Sequence, residues 1–241
     1  MIQQTLGKIY REQSFHPTWL GVFVNPFFIA RRGLAGAVRE FAHLVHGRLL
    51  DVGCGTKPYE RFFHVDEYVG LDIESARSRA SAAADQYYDG HQFPFGDAAF
   101  DAVLCNQVLE HVFNPDEFVG EIHRVLKPGG RMVLTVPFVW DEHEQPFDYA
   151  RYSSFGLRAL VEQHGFAIER QRKINANVSV IFQLINAYLY KVVPRPLIVH
   201  LIVCATVMAP ISCLGVLLSK VFPDNEDLYL DQIIVAKKLS Q

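Results

Sequence analysis

The stretch LLDVGCGTKPYE, residues 49–60, decides how this chain is read. An apolar run ends in an acid, Asp51, and two glycines follow, Gly53 and Gly55, with Cys54 between them. Glycines so placed let the chain turn tightly and let its backbone approach a ligand closely. A second acid, Asp72, closes the next apolar run, 21 positions after Asp51. A doubly wound fold presents a carboxylate to a ribose diol at that spacing, roughly 20 residues on. The turn therefore points to a ribose-bearing ligand. It does not point to a dinucleotide, whose fingerprint needs a third glycine where Pro58 stands, to pack the helix and receive a pyrophosphate.

From Arg48 onward, short apolar runs alternate with helical segments, the pattern of a parallel sheet flanked by helices. RLLDV (48–52), YVGLD (68–72), a run near QYYD (86–89), AVLCN (102–106), MVLTVP (132–137) and FAIER (166–170) read as strands. Asn114 caps a helix with Pro115 at its first position, which runs through DEFVGEIHRVL to a KPGG turn at 127–130. Ser153 or Ser154 caps FGLRALVEQH, and Gly165 closes it in a left-handed conformation. LYLDQIIVAKK (228–238) is the last strand, and upstream a helix starts at Asn25-Pro26 and covers 27–46 up to Gly47. The expected class is α/β: a Rossmann-like doubly wound sheet, mostly parallel with an antiparallel last strand, plus an apolar helical insertion. Residues 1–47 form an N-terminal helical segment, 48–241 the main domain, and 174–226 the insertion.

Composition narrows the function. Half of the 241 residues are hydrophobic and a fifth are charged, which suits a globular chain with a substantial core. A net charge of -3 offers no basic field, so nucleic acid is not an expected partner. Cys54, Cys105, Cys204 and Cys213 form no CxxC pair and share no metal-ligand spacing with histidine, so they read as reduced and no metal is expected. The start, MIQQTLGKIYREQSF, lacks the basic-then-apolar pattern of a secretory signal, and a cytoplasmic location is expected.

Four pieces in order, LLDVGCGT, GLDI, FPFGDAAFDAVLCNQVLEHV and HRVLKPGGRMVLTVPF, resemble the class I S-adenosylmethionine-dependent methyltransferases, of the type 11-like kind. The likeness covers about 48–171 and 228–238. It implies S-adenosyl-L-methionine as cofactor, with roles carried over position by position. Gly53, Cys54 and Gly55 would line the methionine and sugar portion. Asp51 would hold the methionyl ammonium through water, and Asp72 the ribose hydroxyls, with Ile73 packing on adenine. Asp89 and Gly90 would meet the adenine edge, and Asn106 and Gln107 the methionyl end. Lys57 stands where many members have glycine. A narrower likeness, PFVWDEHEQPFDYARYSSFGLRALVEQHGF, is to bacterial enzymes of surface-glycan and lipid metabolism. Methyl transfer then needs a base only if the acceptor must lose a proton, and the candidates are His111 and His143. Asp148 and Arg151 read as an ion pair, solvated or structural, rather than as catalysts. The acceptor is a small molecule, a glycan or a lipid-linked intermediate. The alternative is a non-catalytic protein that binds the cofactor as a regulator or assembly partner.

One stretch is unlike the rest: no Asp or Glu occurs from Ile174 to Pro223. Leu197 to Ser219 would reach about 34 Å as a helix, against a hydrocarbon core of roughly 30 Å. A single span fits poorly, because FAIER and LYLDQIIVAKK join one sheet and the chain must return to the side it left. Pro194, Pro196 and Pro210 should break the region into three short helices. The expectation is monotopic contact through 178–222 with the inner face of a membrane, helped by Trp19, Phe23, Phe27 and Phe28. Packing on the chain's own body or on a second subunit of a homodimer stays open.

Overall fold

A computed structural model describes residues 10–194 and 196–240. It contains two compact units. One takes in the chain up to Ala37, with Val139–Asp141 and Lys173–Asp231; the other comprises Val38–Phe138, Glu142–Arg172 and Gln232–Gln241. We call them the apolar unit and the sheet unit.

The seven strands are β1 (Arg48–Val52), β2 (Glu67–Ile73), β3 (Gln86–Tyr88), β4 (Phe100–Asn106), β5 (Leu126–Pro137), β6 (Phe166–Ile174) and β7 (Asp231–Lys238). Their spatial order is β3-β2-β1-β4-β5-β7-β6. The pairs β1–β2, β1–β4, β2–β3 and β4–β5 are all parallel. The last strand reverses: the Leu230 N–H meets the Ile174 carbonyl at 3.2 Å, and the Leu239 N–H meets the Gly165 carbonyl at 3.0 Å. Central strands covered on both faces read as continuous apolar runs, and Leu49, Leu50 and Val52 are fully buried. Strand order turns back between β1 and β4, so the carboxyl ends of these two strands open a crevice at the switch point.

The helices are α1 (Phe28–Phe41), α2 (Ala76–Ser81), α3 (Pro115–Val125), α4 (Ser154–Gln163), α5 (Ser179–Val192), α6 (Leu197–Val203) and α7 (Ala209–Leu218). Ser153 caps α4 by accepting from the Gly156 N–H at 3.1 Å. Asn114 stands at the N-cap position of α3 but gives no side-chain cap; its amide reaches Glu117 at 3.4 Å instead.

Three local expectations change. The first helix ends at Phe41 rather than before Gly47, because buried, β-branched Val45 is already extended toward β1. The KPGG turn does not separate helix from strand. It lies inside β5 as a bulge, since Phe100 faces Leu126 while Ala102 faces Arg131. Pro210 does not break the apolar helix, which continues from Ile198 to Leu218. A π-helical segment, Cys204–Met208, precedes the proline, and the wider turn accommodates the hydrogen bond that Pro210 cannot make.

In the apolar unit, Val22, Phe28, Ile29, Ala30, Val180, Ala209 and Leu230 form the core. Phe28 is fully buried, and Phe27 packs edge-on against Trp140 and Tyr190 with ring centroids 5.6 and 4.9 Å away. Phe28 is thus part of the core and not of an outer surface. Two polar side chains in α5 knit this unit. The fully buried Gln183 accepts from the Ala30 N–H at 3.2 Å and donates to the Pro26 carbonyl at 3.1 Å. Asn186 donates to the Met208 carbonyl and to Ser212 Oγ at 3.0 and 2.9 Å. Gln183→Leu keeps the volume but strands two buried backbone groups, which costs about 2–4 kcal/mol. Urea unfolding followed by circular dichroism should show the loss as a lower midpoint; an unchanged midpoint would mean that the amide does not tie the N-terminal segment down.

Candidate functional site

All the residues singled out in the sequence for cofactor and proton chemistry lie in the sheet unit. The turn after β1 is built by backbone constraint. The Gly53 and Cys54 N–H groups both bond to the Leu71 carbonyl, at 2.8 and 3.1 Å. Gly53 adopts φ +69°, and a Cβ there would meet Val108 Cγ2 at 2.3 Å, so only glycine fits. Gly55, at φ +53°, faces open space instead. One glycine is required by packing, and the other leaves room.

Lys57 carries its own explanation. It too has positive φ, +52°, and its Nζ reaches Asp85 Oδ2 at 2.5 Å. On the way the side chain crosses Gly70, where a Cβ would lie 2.4 Å from Lys57 Cε. Asp85 also accepts from the Gly70 N–H at 2.7 Å. The lysine that departs from the family pattern therefore straps the turn to β2 and to the residues entering β3.

Two carboxylates flank this turn on adjacent strands. Asp51 is buried and accepts from the Tyr68 hydroxyl at 2.7 Å. Burial pushes its pKa up to about 7, although the Tyr68 hydrogen bond and the Lys57 charge act the other way. Asp72, at the end of β2, accepts from the Ile73 N–H at 2.8 Å. Its pKa is also raised, by burial first, against the backbone bonds from Ile73 and Gly55 and the Arg77 charge. Ile73 next to it is half exposed, and a Cβ on Gly90 would lie 3.6 Å from Ile73 Cδ1. Ile73 thus presents a half-exposed apolar side chain close beside the bare backbone of Gly90. Asp89 sets the turn by accepting from the His91 N–H at 3.0 Å.

At the end of β4, Asn106 and Gln107 are held by a residue that sequence reading missed. Thr135 on β5 lies opposite Asn106 in register and donates its hydroxyl to Asn106 Oδ1 at 2.8 Å. It also receives the Gln107 N–H at 3.1 Å, with Gln107 at φ +55°. Only strand register could have revealed this contact.

Beyond β4 stand the two histidines. Their rings meet edge to face with centroids 4.8 Å apart. His111 Nδ1 donates to the Phe147 carbonyl at 2.6 Å, which leaves Nε2 as the open nitrogen, 3.8 Å from the fully buried Glu110 carboxylate. Burial holds the His111 pKa below its ordinary value, so its imidazole is neutral near pH 7. His143 Nδ1 lies 3.3 Å from Asp148 Oδ2. Arg151 grips Asp148 with bonds of 2.6 and 2.7 Å and holds that carboxyl down at about 2. Asp148 is nearly inaccessible, so the pair is structural rather than solvated, and it orients His143. The structure thus joins Glu110, His111 and His143, whose donor atoms all lie within 4.8 Å of one another. A further tie, Arg77 to Glu144, links α2 to the loop carrying His143.

The arrangement suits a cationic, ribose-bearing ligand. It offers a buried carboxylate, a second acid on the neighbouring strand, an apolar side chain beside a bare glycine backbone, and two imidazoles beyond β4.

Comparison with known proteins agrees. Residues 50–134 match the model of the methyltransferase domain family. A probable S-adenosylmethionine-dependent methyltransferase of Mycolicibacterium smegmatis is 30% identical over 54% of this chain and 56% of its own length. A ubiquinone biosynthesis O-methyltransferase of Caulobacter vibrioides is 32% identical over 53% of this chain and 54% of its own. The chain spans about half the length of these curated relatives. Phosphoethanolamine N-methyltransferase 2 of Haemonchus contortus, solved with S-adenosyl-L-methionine, superposes with a TM-score of 0.56 at 18% identity, covering 96% of this chain and 60% of that one. At that identity the likeness is one of fold.

The Asp51 environment yields a pH dependence for a cationic ligand. Below about pH 7 the carboxyl is protonated and must release its proton to receive a cation; above it no proton is lost. Affinity for S-adenosylmethionine should rise by about fivefold from pH 6 to pH 7, by about twofold more to pH 8, and then level off. Titration calorimetry across that range measures it. A flat profile in the native protein, or a slope that survives in Asp51→Asn, would show that Asp51 does not receive the ammonium.

Proposed function

We propose that this chain is a class I S-adenosylmethionine-dependent methyltransferase that transfers the cofactor's methyl group to a small-molecule, glycan or lipid-linked acceptor close to a membrane, a reading supported by the methyltransferase-domain match over residues 50–134 and by the Mycolicibacterium relative. One observation carries the reading. Asp51 and Asp72 stand at the ends of neighbouring parallel strands, on either side of a turn whose glycines have positive φ.

When bound, S-adenosylmethionine supplies an electrophilic methyl on a sulfonium, which leaves neutral in an in-line displacement. The chain's own residues do the rest. Asp72 takes the ribose hydroxyls, Ile73 and Gly90 receive the adenine, Asp89 its edge, and Asp51 the ammonium. Gly53, Cys54 and Gly55 line the path between, and Asn106 and Gln107, fixed by Thr135, hold the methionyl end. Catalysis then rests on holding donor and acceptor collinear, an orientation effect of up to about 7–11 kcal/mol.

His111 and His143 lie on the acceptor side and handle its proton. His111 is neutral with Nε2 open, and Glu110 beside it would stabilise the imidazolium that forms on protonation. His143 is held by the Asp148–Arg151 pair, which fixes its ring plane. An acceptor with an ionisable hydroxyl or a protonated amine uses such a pair. The likeness to the Caulobacter ubiquinone biosynthesis O-methyltransferase supports an oxygen acceptor. The protein would work at the cytoplasmic face of a membrane, as a peripheral enzyme.

The test uses S-adenosylmethionine labelled in the methyl group, the full chain, and extract from its own cells, separated into organic and aqueous phases. Asp72→Ala should lose cofactor binding and all label transfer. His143→Asn should keep cofactor affinity and lower turnover by about 10²- to 10⁴-fold. Cofactor binding with no transfer into any fraction would favour the non-catalytic regulator instead.

A further inference from the structure

The apolar unit exposes more large hydrophobic surface than its core explains. Along α5, Ile181, Ile185, Tyr188 and Val192 are exposed at helical spacing, one face of one helix, while Val180, Gln183 and Asn186 on the other side are buried. The helix from Ile198 to Leu218 repeats the pattern: Ile198, Leu201 and Ile202 in its first half, and Leu214 and Leu217 in its second, are open, with Val221 just beyond. In the 3-10 turn of Trp19–Phe23, Trp19, Leu20 and Phe23 are exposed as well, Leu20 by 74%. Scattered apolar residues on a surface need no reason; stripes on consecutive helices do.

Length rules out a simple span. Ile198–Leu218 is the one described helix long and apolar enough to cross a bilayer, and only 28% of its most apolar window is buried. Yet the segment leaves β6 and re-enters at β7, its neighbour in the sheet, so any crossing must be matched by a return. The 14 residues of α5 reach only about 21 Å, too short for a core of roughly 30 Å.

Charge says what covers these stripes. From Ile174 to Pro223 there is no acid, while Lys220 is exposed beside Val221 and Phe222, and Arg32 lies over the Trp19 ring at 4.1 Å. Acids resume only at Asp224. A cation stacked on an exposed tryptophan, next to Leu20 and Phe23, suits a headgroup boundary, where amphipathic rings and basic side chains meet phosphates.

We propose that this face docks in the plane of one leaflet of a bilayer rich in anionic phospholipid. Trp19, Leu20 and Phe23 and the stripes of α5 and of Ile198–Leu218 enter the acyl boundary, and Arg32 and Lys220 pair with lipid phosphates. The proposal gives the membrane-proximal reading above its physical basis, but lipid binding itself does not depend on methyl transfer.

The experiment is flotation of the full chain with vesicles of phosphatidylglycerol and phosphatidylcholine, or of phosphatidylcholine alone, at low and high salt. Trp19 fluorescence is read in a Trp140→Phe background. We expect binding to the anionic vesicles, weakened by salt, with a blue shift of Trp19. Arg32→Gln and Lys220→Gln should each weaken it by about fivefold. Leu20→Glu with Leu217→Glu should abolish it without altering the melting temperature or cofactor affinity. Protein that stays in the aqueous fraction with every vesicle overturns the proposal. So does a stable dimer, seen by light scattering, that Leu217→Glu dissociates. Because cofactor affinity and label transfer are measured separately, failure of the methyltransferase reading leaves flotation intact, and the reverse.

Discussion

Two backbone hydrogen bonds to one carbonyl organise the cofactor side of this protein. When Gly53 and Cys54 both donate to Leu71, the chain leaving β1 is pinned against the end of β2 and cannot continue as a strand. Gly53 and Gly55 take positive φ there, and Asp51 and Asp72 stand near the ends of neighbouring strands. Lys57 adds a second strap through Asp85. Everything proposed for the ligand depends on this turn staying narrow. Val108, packed where a Gly53 side chain would be, keeps it so.

The surroundings of the two histidines are organised differently, by side chains on a long irregular segment. The loop between β5 and α4 has no ladder to hold it. Instead the Tyr149 and Ala150 N–H groups bond to the Glu110 carbonyl at 2.8 and 3.2 Å, and the His111 ring bonds to the Phe147 carbonyl. The Asp148–Arg151 pair closes the loop around His143. Buried charge in such a place is costly unless paired, and here the Asp148 carboxylate takes two bonds from Arg151. The result is a rigid cradle for two imidazoles on a segment with little regular structure. Exposed Phe113 and Tyr149 meet edge to face at 5.3 Å beside it, which adds apolar surface to the same rim.

The strands themselves were readable because parallel strands announce themselves as short apolar runs with helices between. Boundaries were less so. KPGG contains two glycines and a proline, the composition of a turn, yet the pairing of Phe100 with Leu126 and Ala102 with Arg131 absorbs it into β5. Pro210 read as a helix breaker; the neighbouring residues widened the helix into a π segment instead, because an apolar helix in this unit gains more by staying continuous than by ending. Phe28 read as a surface aromatic and proved to be core. Hydrophobicity alone does not distinguish a side chain that faces its own protein from one that faces outward.

By itself the sequence determined the doubly wound sheet, the glycine turn and the two strand-end acids, because these depend on local backbone freedom and on spacing along the chain. Tertiary structure alone decided that Thr135 holds Asn106, that Lys57 straps the turn, that Glu110 joins His111 and His143, and that Asp148 with Arg151 orients the latter. Thr135 and Asn106, Lys57 and Asp85, and His111 and His143 lie about 30 residues apart in the chain, Asp148 and Arg151 sit in a loop without regular structure, and pKa values follow from burial. Asp51 is drawn toward neutral pH by what surrounds it, and no spacing along the chain encodes that.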